Sequence, residues 1–297
     1  MKLEQLAEEL KRMPMTAGFV QQIEILQSRY GDEYVQVAED ILYLLEVMGL
    51  DVVKISRKYI YDYLKQLEYF ISHKSYGHTD FEKIKNEIYN NERIMLETYL
   101  PGLLMSYAYT TILGTKNHIF LTEFLPRLKD TMRGVEIGFG EGFYLWEIFR
   151  HYPQAEITGY DISDYSIQFA TNLLQAANVS AERYHLKYGN IFDGIQQADE
   201  SADFGVLTEL IEHIPNPQVG IHEIVRMIKS GGLLYLTTVI NSNHMDHISN
   251  FESPDIVRRM LEQEGVNIVF ENIYYMTDDF PESQDVSVGL AFVAQKK

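Results

Sequence analysis

From residue 1 to about residue 129, apolar positions recur at helical spacing. Leu3, Leu6 and Leu10 share one face, Ile41, Leu44, Leu45 and Met48 stand at i, i+3, i+4 and i+7, and Ile60, Leu64, Leu67 and Ile71 continue the period. Gly31-Asp32, Gly49 and Tyr76-Gly77-His78 interrupt it, which predicts several helices rather than one rod. Asp80, with Thr79, is placed to cap a helix carrying Ile84 and Ile88. After Arg133 the pattern changes. Short apolar runs at 134–137, 155–160, 183–187, 204–207, 233–239, 266–271 and 286–294 read as strands, and 165–176, 218–229 and 253–264 read as intervening helices. Ser253-Pro254 supplies a cap and a first-turn proline for the last of these. No long helix separates the final two strands, so the last can return antiparallel. The pattern predicts an α/β fold, a doubly wound and mostly parallel seven-stranded sheet over 131–297, behind an all-helical region over 1–130.

The first strand runs into V-E-I-G-F-G-E-G-F-Y-L-W, residues 135–146. Gly138, Gly140 and Gly142 fall in a strand-to-helix turn, where glycine lets the backbone bend tightly and approach a ligand. A helix expected to begin near Glu141 would point its unpaired N–H groups at the same space. Two carboxylates accompany the turn: Glu136, two residues before the first glycine, and Asp161, at the end of the next apolar run. A carboxylate delivered there by a neighbouring parallel strand can accept both hydroxyls of a ribose. A dinucleotide fingerprint would require a glycine at Phe143, which opposes an NAD-dependent oxidoreductase.

This arrangement resembles class I S-adenosylmethionine-dependent methyltransferases, whose first motif reads acidic-x-G-x-G-x-G and whose second strand ends in an acidic residue. The resemblance covers about residues 132–297. Gly189-Asn190-Ile191 occupies the place where that family contacts adenine, often through Asp. Glu209-Leu-Ile-Glu212-His213 with Pro217 is similar to the family's E-x-x-E-H-x-x-x-P, and Ser230-Gly-Gly precedes its fifth strand. The resemblance implies a Rossmann-like methyltransferase fold and S-adenosyl-L-methionine as cofactor. It would be held by Glu136, Gly138, Gly140, Gly142, Asp161, Ile162, Asn190, Ile191 and Glu209.

Charge narrows the acceptor. The chain carries a formal charge of -18; residues 1–133 hold 16 basic and 19 acidic side chains, and residues 134–297 hold 9 and 24. A half so acidic repels phosphate backbones, so a small-molecule acceptor is expected rather than nucleic acid, and an RNA-terminus methyltransferase is the disfavoured alternative. A catalytically idle methyltransferase-like subunit is the other alternative, opposed by the intact glycines and Asp161. With no cysteine, thiolate chemistry and disulfides are excluded. No apolar run reaches membrane-spanning length and the first ten residues are too acidic for a leader, so no membrane partner and a cytoplasmic location are expected.

Catalytic groups are expected in two loops, Glu209 to His213 and Asn241 to His247. His247, oriented by Asp246, is the candidate general base because imidazole titrates near working pH, with His213 and Glu212 beside it. In the family, Glu-x-x-Glu-His braces this loop without metal. Small-RNA 2'-O-methyltransferases and ubiquinone-pathway O-methyltransferases use a similar set for a divalent cation, and Glu209, Glu212 and His213 with His244 or His247 are the corresponding residues here. The metal-free brace is the reading taken. Residues 100–120, with Pro101, Tyr107, Tyr109 and His118, are expected to form a lid with aromatic walls, and the N-terminal helices are a candidate homodimer interface. His73, His78, His118, His151, His185 and His222 are read as structural.

Overall fold

The computed structural model describes residues 1–73, 80–242, 244, 246–275 and 287–297, without the side chains of Phe70 and Ile71. The expected break at 76–78, Thr79 as a co-cap, His78 and the first residue of the expected strand at 286 lie outside the described residues.

The N-terminal half is helical, as its periodicity predicts. It comprises α1 (Leu3–Lys11), α2 (Ala17–Val47), α3 (Val52–His73), α4 (Phe81–Ile84), α5 (Glu92–Ile94), α6 (Leu100–Ser106) and α7 (Thr111–Ile119). Gly31 kinks α2 with φ +56 and ψ -138, a conformation from which a side chain would be excluded. The Asp80 carboxylate caps α4 by accepting the N–H groups of Glu82 and Lys83 at 3.0 and 3.3 Å. Two π-helical turns, Lys85–Tyr89 and Met95–Tyr99, follow α4 and α5. Each ends on a tyrosine, and such turns re-aim the side chains that follow them.

The second half forms one seven-stranded sheet from β1 (Arg133–Ile137), β2 (Glu156–Asp161), β3 (Tyr184–Tyr188), β4 (Ala202–Thr208), β5 (Ile228–Ile240), β6 (Val266–Tyr275) and β7 (Val288–Lys296), in the order β3-β2-β1-β4-β5-β7-β6. β1 to β5 are parallel, and β7 returns antiparallel between β5 and β6. The helices α8 (Phe143–His151), α9 (Asp164–Ala176), α10 (Pro217–Met227) and α11 (Pro254–Gln263) connect the strands. Period-two alternation divides the long central strand β5 between two cores. Tyr235 and Val239 face a cluster shared with the N-terminal helices, α8 and α9, whereas Leu234 and Leu236 pack with α10 and α11. The strand order reverses between β1 and β4, so their C-terminal ends open a crevice.

Of the boundaries that differ from expectation, two have a local cause in the backbone. The helix expected over 218–229 ends at Met227, because Ile228 already pairs with Ala202 and the Gly231-Gly232 segment bulges before Leu233 pairs with Phe204. The helix after the glycine turn starts at Phe143 rather than near Glu141, because Gly142 is left-handed at φ +82 and cannot belong to it.

Candidate functional site

The glycine turn and Asp161 meet as the sequence requires. The Gly138 N–H donates to the Tyr160 carbonyl at 2.7 Å and the Gly142 N–H to the Phe139 carbonyl at 2.8 Å. All three glycines have positive φ. A Cβ on Gly138 would lie 2.9 Å from Leu210 and one on Gly142 2.8 Å from Ala170, whereas one on Gly140 would meet nothing within 4 Å. Close packing excludes side chains at the outer two positions, and the middle one leaves the backbone bare to the crevice. The Asp161 carboxylate accepts the N–H groups of Gly140 and Ser163, both at 2.9 Å, one on each oxygen.

Three carboxyls crowd this end. Burial pushes Asp161 up to about 6 and Glu141 up to about 7, and raises Glu136 well above the usual range, with Glu141 and Asp161 adding to the shift at Glu136. Glu136 is buried and its Oε2 has no hydrogen-bond partner. An orphaned acceptor and carboxyls whose ionisation burial opposes suit a ligand that brings N–H donors and a positive charge. S-adenosylmethionine, with its ammonium and sulfonium, meets both conditions.

From this turn a cavity of about 410 Å³ runs between the sheet and the N-terminal helices. Gly138, Gly140, Asp161, Ile162, Asn190, Ile191 and Glu209 line one end. Glu136 and Gly142 do not line it. Asn190 is at the rim, but its side chain accepts from the Phe192 N–H at 3.1 Å and donates to Asp193 at 2.9 Å. The other end is apolar and aromatic, with Phe19, Tyr59, Tyr63, Leu67, Met95 and Leu103 from the helices. Within 100–120, Leu103, Ser106, Tyr107, Thr110, Ile112 and Leu113 face the cavity. Pro101, Tyr109 and His118 do not; His118 instead stacks on Tyr30 with its Nδ1 3.0 Å from Glu33.

His213, His244 and His247 form the wall between the two ends. Their ring centroids lie 4.7 Å (His213 to His247), 5.5 Å (His244 to His247) and 6.5 Å (His213 to His244) apart. At their back is Asp246, fully buried. Its Oδ2 accepts the hydroxyl of Tyr89 at 2.8 Å and that of Tyr99, and stands 3.2 Å from His213 Nδ1; its Oδ1 lies 2.5 Å from His244 Nδ1. Burial opposes its charge, but the two histidines outweigh burial and hold Asp246 well below the usual carboxylate range. The expectation that Asp246 orients His247 is corrected: His247 turns its Nδ1 to the Ser242 carbonyl at 2.7 Å.

Glu209 and Glu212 part company. Glu209, left-handed at φ +48, forms an ion pair with Lys116 of α7 and accepts the Thr237 hydroxyl at 2.9 Å. Glu212 is buried behind the wall, where Oε2 accepts from Thr238 at 2.7 Å and its carbonyl accepts the N–H groups of Ile248 and Ser249, both at 2.9 Å. It braces the loop and does not line the cavity. Among the described residues, two trios bring one potential ligand atom each within 4.8 Å of one another: Glu212, His213 and His247, and His244, Asp246 and His247. Glu209 belongs to neither, so the four-residue set considered from sequence does not assemble; its carboxylate is drawn instead to Lys116.

The family described as a methyltransferase domain matches residues 128–276, half of the chain. This chain belongs to that family. A ubiquinone biosynthesis O-methyltransferase of Coxiella burnetii is 26% identical over 186 residues, which are 53% of this chain and 76% of the relative. One of Nitrosomonas europaea is 27% identical over 110 residues, 36% of this chain and 44% of the relative. Among solved structures, the [4+2]-cyclase SpnF has a TM-score of 0.51 at 14% identity, over 62% of this chain and 80% of that one. A Galdieria sulphuraria protein provisionally named a sarcosine dimethylglycine methyltransferase also reaches 0.51 at 14% identity, over 62% and 86%. These structures share the fold alone, and the fold hosts more than one reaction. Among the described residues no helix is long and apolar enough to cross a membrane.

Four contributors to the site in this methyltransferase domain and its helices escape a motif reading: Lys116, Tyr59, Tyr89 and Tyr99. Lys116 did leave a trace, as the sole Lys, Arg, Asp or Glu between Thr98 and Thr122. A lone charge in so long an uncharged run signals a buried, paired one. The tyrosines left no comparable trace in an N-terminal half rich in them.

Proposed function

We propose that this protein transfers a methyl group from S-adenosylmethionine to a small, largely apolar acceptor held between the N-terminal helices and the strand ends. The observation that carries the reading is the continuity of one cavity, from the glycine turn and Asp161 to the histidine wall and on into the aromatic pocket. Asp161 is positioned to accept ribose hydroxyls with the lone pairs not used by Gly140 and Ser163. The backbone of Asn190 and Ile191, rather than the occupied Asn190 side chain, would meet the adenine. Glu136, Glu141 and Glu209 surround the end where the amino acid part would lie. When bound, the cofactor supplies an electrophilic methyl group on a sulfonium. The chain's own contribution is to align the acceptor with that methyl, keep water out with the N-terminal helices, and offer a base at the histidine wall.

The names of the O-methyltransferase relatives agree with a small acceptor, as does the 9-to-24 imbalance of basic and acidic residues over 134–297. Isothermal titration tests the reading directly. S-adenosylmethionine and S-adenosylhomocysteine should bind with one-to-one stoichiometry and NAD should not; NAD binding tighter than S-adenosylhomocysteine would sink it.

A further inference from the structure

The three imidazoles at the wall are not equivalent. His213 directs Nδ1 at both the carboxylate and the carbonyl of Asp246, 3.2 Å from each. Burial lowers its pKa, but Asp246 and Glu212 outweigh burial and lift it to about 9, so at neutral pH it already holds the proton a base would need to accept. His247 faces a carbonyl, which only accepts, so its Nδ1 carries the hydrogen. Burial, His213 and His244 hold its pKa well below the usual imidazole value, against the opposing pull of Asp246 and the Ser242 carbonyl.

His244 differs from both. Its Nδ1 is 2.5 Å from Asp246 Oδ1, its Nε2 is 3.3 Å from the Tyr59 hydroxyl, and its ring lines the cavity. Asp246 is held for this purpose: Tyr89, Tyr99 and His213 occupy Oδ2, which leaves Oδ1 to His244. Among the described residues, the groups that face His244 include Asp246, His213, His247, Tyr59 and Tyr99.

We infer that His244 is the base that takes the proton from a hydroxyl group of the acceptor, with Asp246 and Tyr59 as positioning residues. The inference rests on the methyl-transfer reading and narrows its acceptor to an alcohol, phenol or enol with an apolar body. In the step, the acceptor oxygen forms a bond to the methyl carbon, the carbon–sulfur bond breaks with its electron pair returning to sulfur, and the hydroxyl proton moves to His244 Nε2. One positive charge leaves the sulfonium and one appears on the imidazole, where the Asp246 carboxylate is bonded to stabilise it. An amine attacks through its own lone pair before losing a proton. A hydroxyl is a poor nucleophile until its proton is drawn off, and that is the task a carboxylate-backed imidazole performs. The Tyr59 hydroxyl, 3.3 Å from Nε2, donates to it and keeps the lone pair turned to the cavity, where an acceptor hydroxyl would take its place.

The full-length protein labelled with ¹⁵N-histidine supplies a test that needs no acceptor. Two-bond ¹H–¹⁵N correlations, assigned through His244→Gln, should show His244 with its hydrogen on Nδ1, and Asp246→Asn should move both its nitrogen resonances. A proton on Nε2 would overturn the assignment. With tritium-labelled S-adenosylmethionine and a panel of phenol, catechol and the matching anilines, label should enter the phenols. His244→Gln should then lower kcat by roughly 10²–10⁴-fold at unchanged S-adenosylhomocysteine affinity. Tyr59→Phe should act mainly on the acceptor KM. Label in anilines alone, or His244→Gln within threefold of the parent rate, would also overturn it. The tautomer decides the matter even if no member of the panel is turned over. S-adenosylhomocysteine titrated into the same sample separates the two ideas: failure to bind defeats the methyl-transfer reading, and binding with the wrong tautomer defeats only the base.

Discussion

Lys116 of α7 is buried against the carboxylate of Glu209 at the end of β4, joining the N-terminal helices to the sheet by an ion pair. The lysine has lost its hydration completely, and Glu209 keeps about a quarter of its side-chain exposure. Removing one partner strands the other, which for a buried pair is the larger penalty.

Lys116→Met should therefore cost about 3 kcal/mol of stability, the lower end for a broken buried pair because Glu209 is partly wet. Adding Glu209→Gln to it should restore part of the loss. Urea unfolding of both variants checks this; equal losses in the single and the double would mean the pair is not coupled.

Asp161 holds the turn and, in the proposed function, the ribose. Asp161→Asn keeps one acceptor oxygen and removes the charge, so S-adenosylhomocysteine should bind about tenfold or more weakly, within the roughly 1.5–3 kcal/mol of charged hydrogen bonds. Titration calorimetry measures it. Unchanged affinity would remove Asp161 from the ribose site.

The same carboxyls predict how cofactor affinity follows pH. Asp161 and Glu141 ionise near 6 and 7 because burial raises them, and Glu136 and Glu209 complete the cluster. A cation favours the ionised forms, so S-adenosylmethionine should bind about tenfold more tightly at pH 8 than at pH 6, and binding at pH 6 should release protons. S-adenosylhomocysteine, without the sulfonium, should gain less. Calorimetry in buffers of different ionisation heat reports both quantities.

Much of this site was legible in the sequence because local chemistry dictates it. Gly138, Gly140 and Gly142 need positive φ, and a period-two apolar run before them can only be a strand. What was not legible depends on choices between equivalent partners. Asp246 stands next to His247 in the chain, yet the turn of the loop gives it to His213 and His244, and no spacing rule distinguishes these outcomes. Tyr89 and Tyr99 reach Asp246 because each closes a π-helical turn, an extra residue that apolar periodicity does not register.

Glu147 of α8 gives a pH test away from the site. It is fully buried, with Oε1 3.5 Å from Asn117 and 3.6 Å from Arg150 and Oε2 3.4 Å from His151, and burial raises it to about 7 against the opposing pull of Arg150. The native protein keeps this proton where the unfolded chain has lost it, so stability is highest below about pH 4.5 for this group and falls as pH rises to about 7. The full loss is about 3 kcal/mol at 1.36 kcal/mol per unit. Glu147→Gln should abolish it, raising Tm relative to the parent at pH 8 more than at pH 5. Parallel pH profiles of the two proteins would refute the burial argument.

The last prediction concerns whether the two halves of the sequence are two folding units. The helices of residues 1–130 and the sheet of 131–297 divide cleanly by pattern, but one apolar cluster runs through both, and Phe143, Tyr144, Trp146, Phe204 and Tyr235 bury their faces in it beside Leu26, Leu104, Phe120 and Phe124. Polar groups cross the same boundary. Tyr235 donates to the Lys116 carbonyl at 2.8 Å, Glu209 pairs with Lys116, and Tyr89 and Tyr99 hold Asp246. Cutting at residue 130 would expose a run of aromatic rings and leave a buried carboxylate without its donors, each a penalty comparable to the net stability of a domain. Residues 131–297 alone should therefore show no cooperative thermal transition, bind a hydrophobic dye, and fail to bind S-adenosylhomocysteine. Circular dichroism melting, dye fluorescence and calorimetry on that fragment check the three outcomes. A cooperative melt with intact cofactor binding would establish the sheet as an autonomous domain and reduce the N-terminal helices to a removable cover.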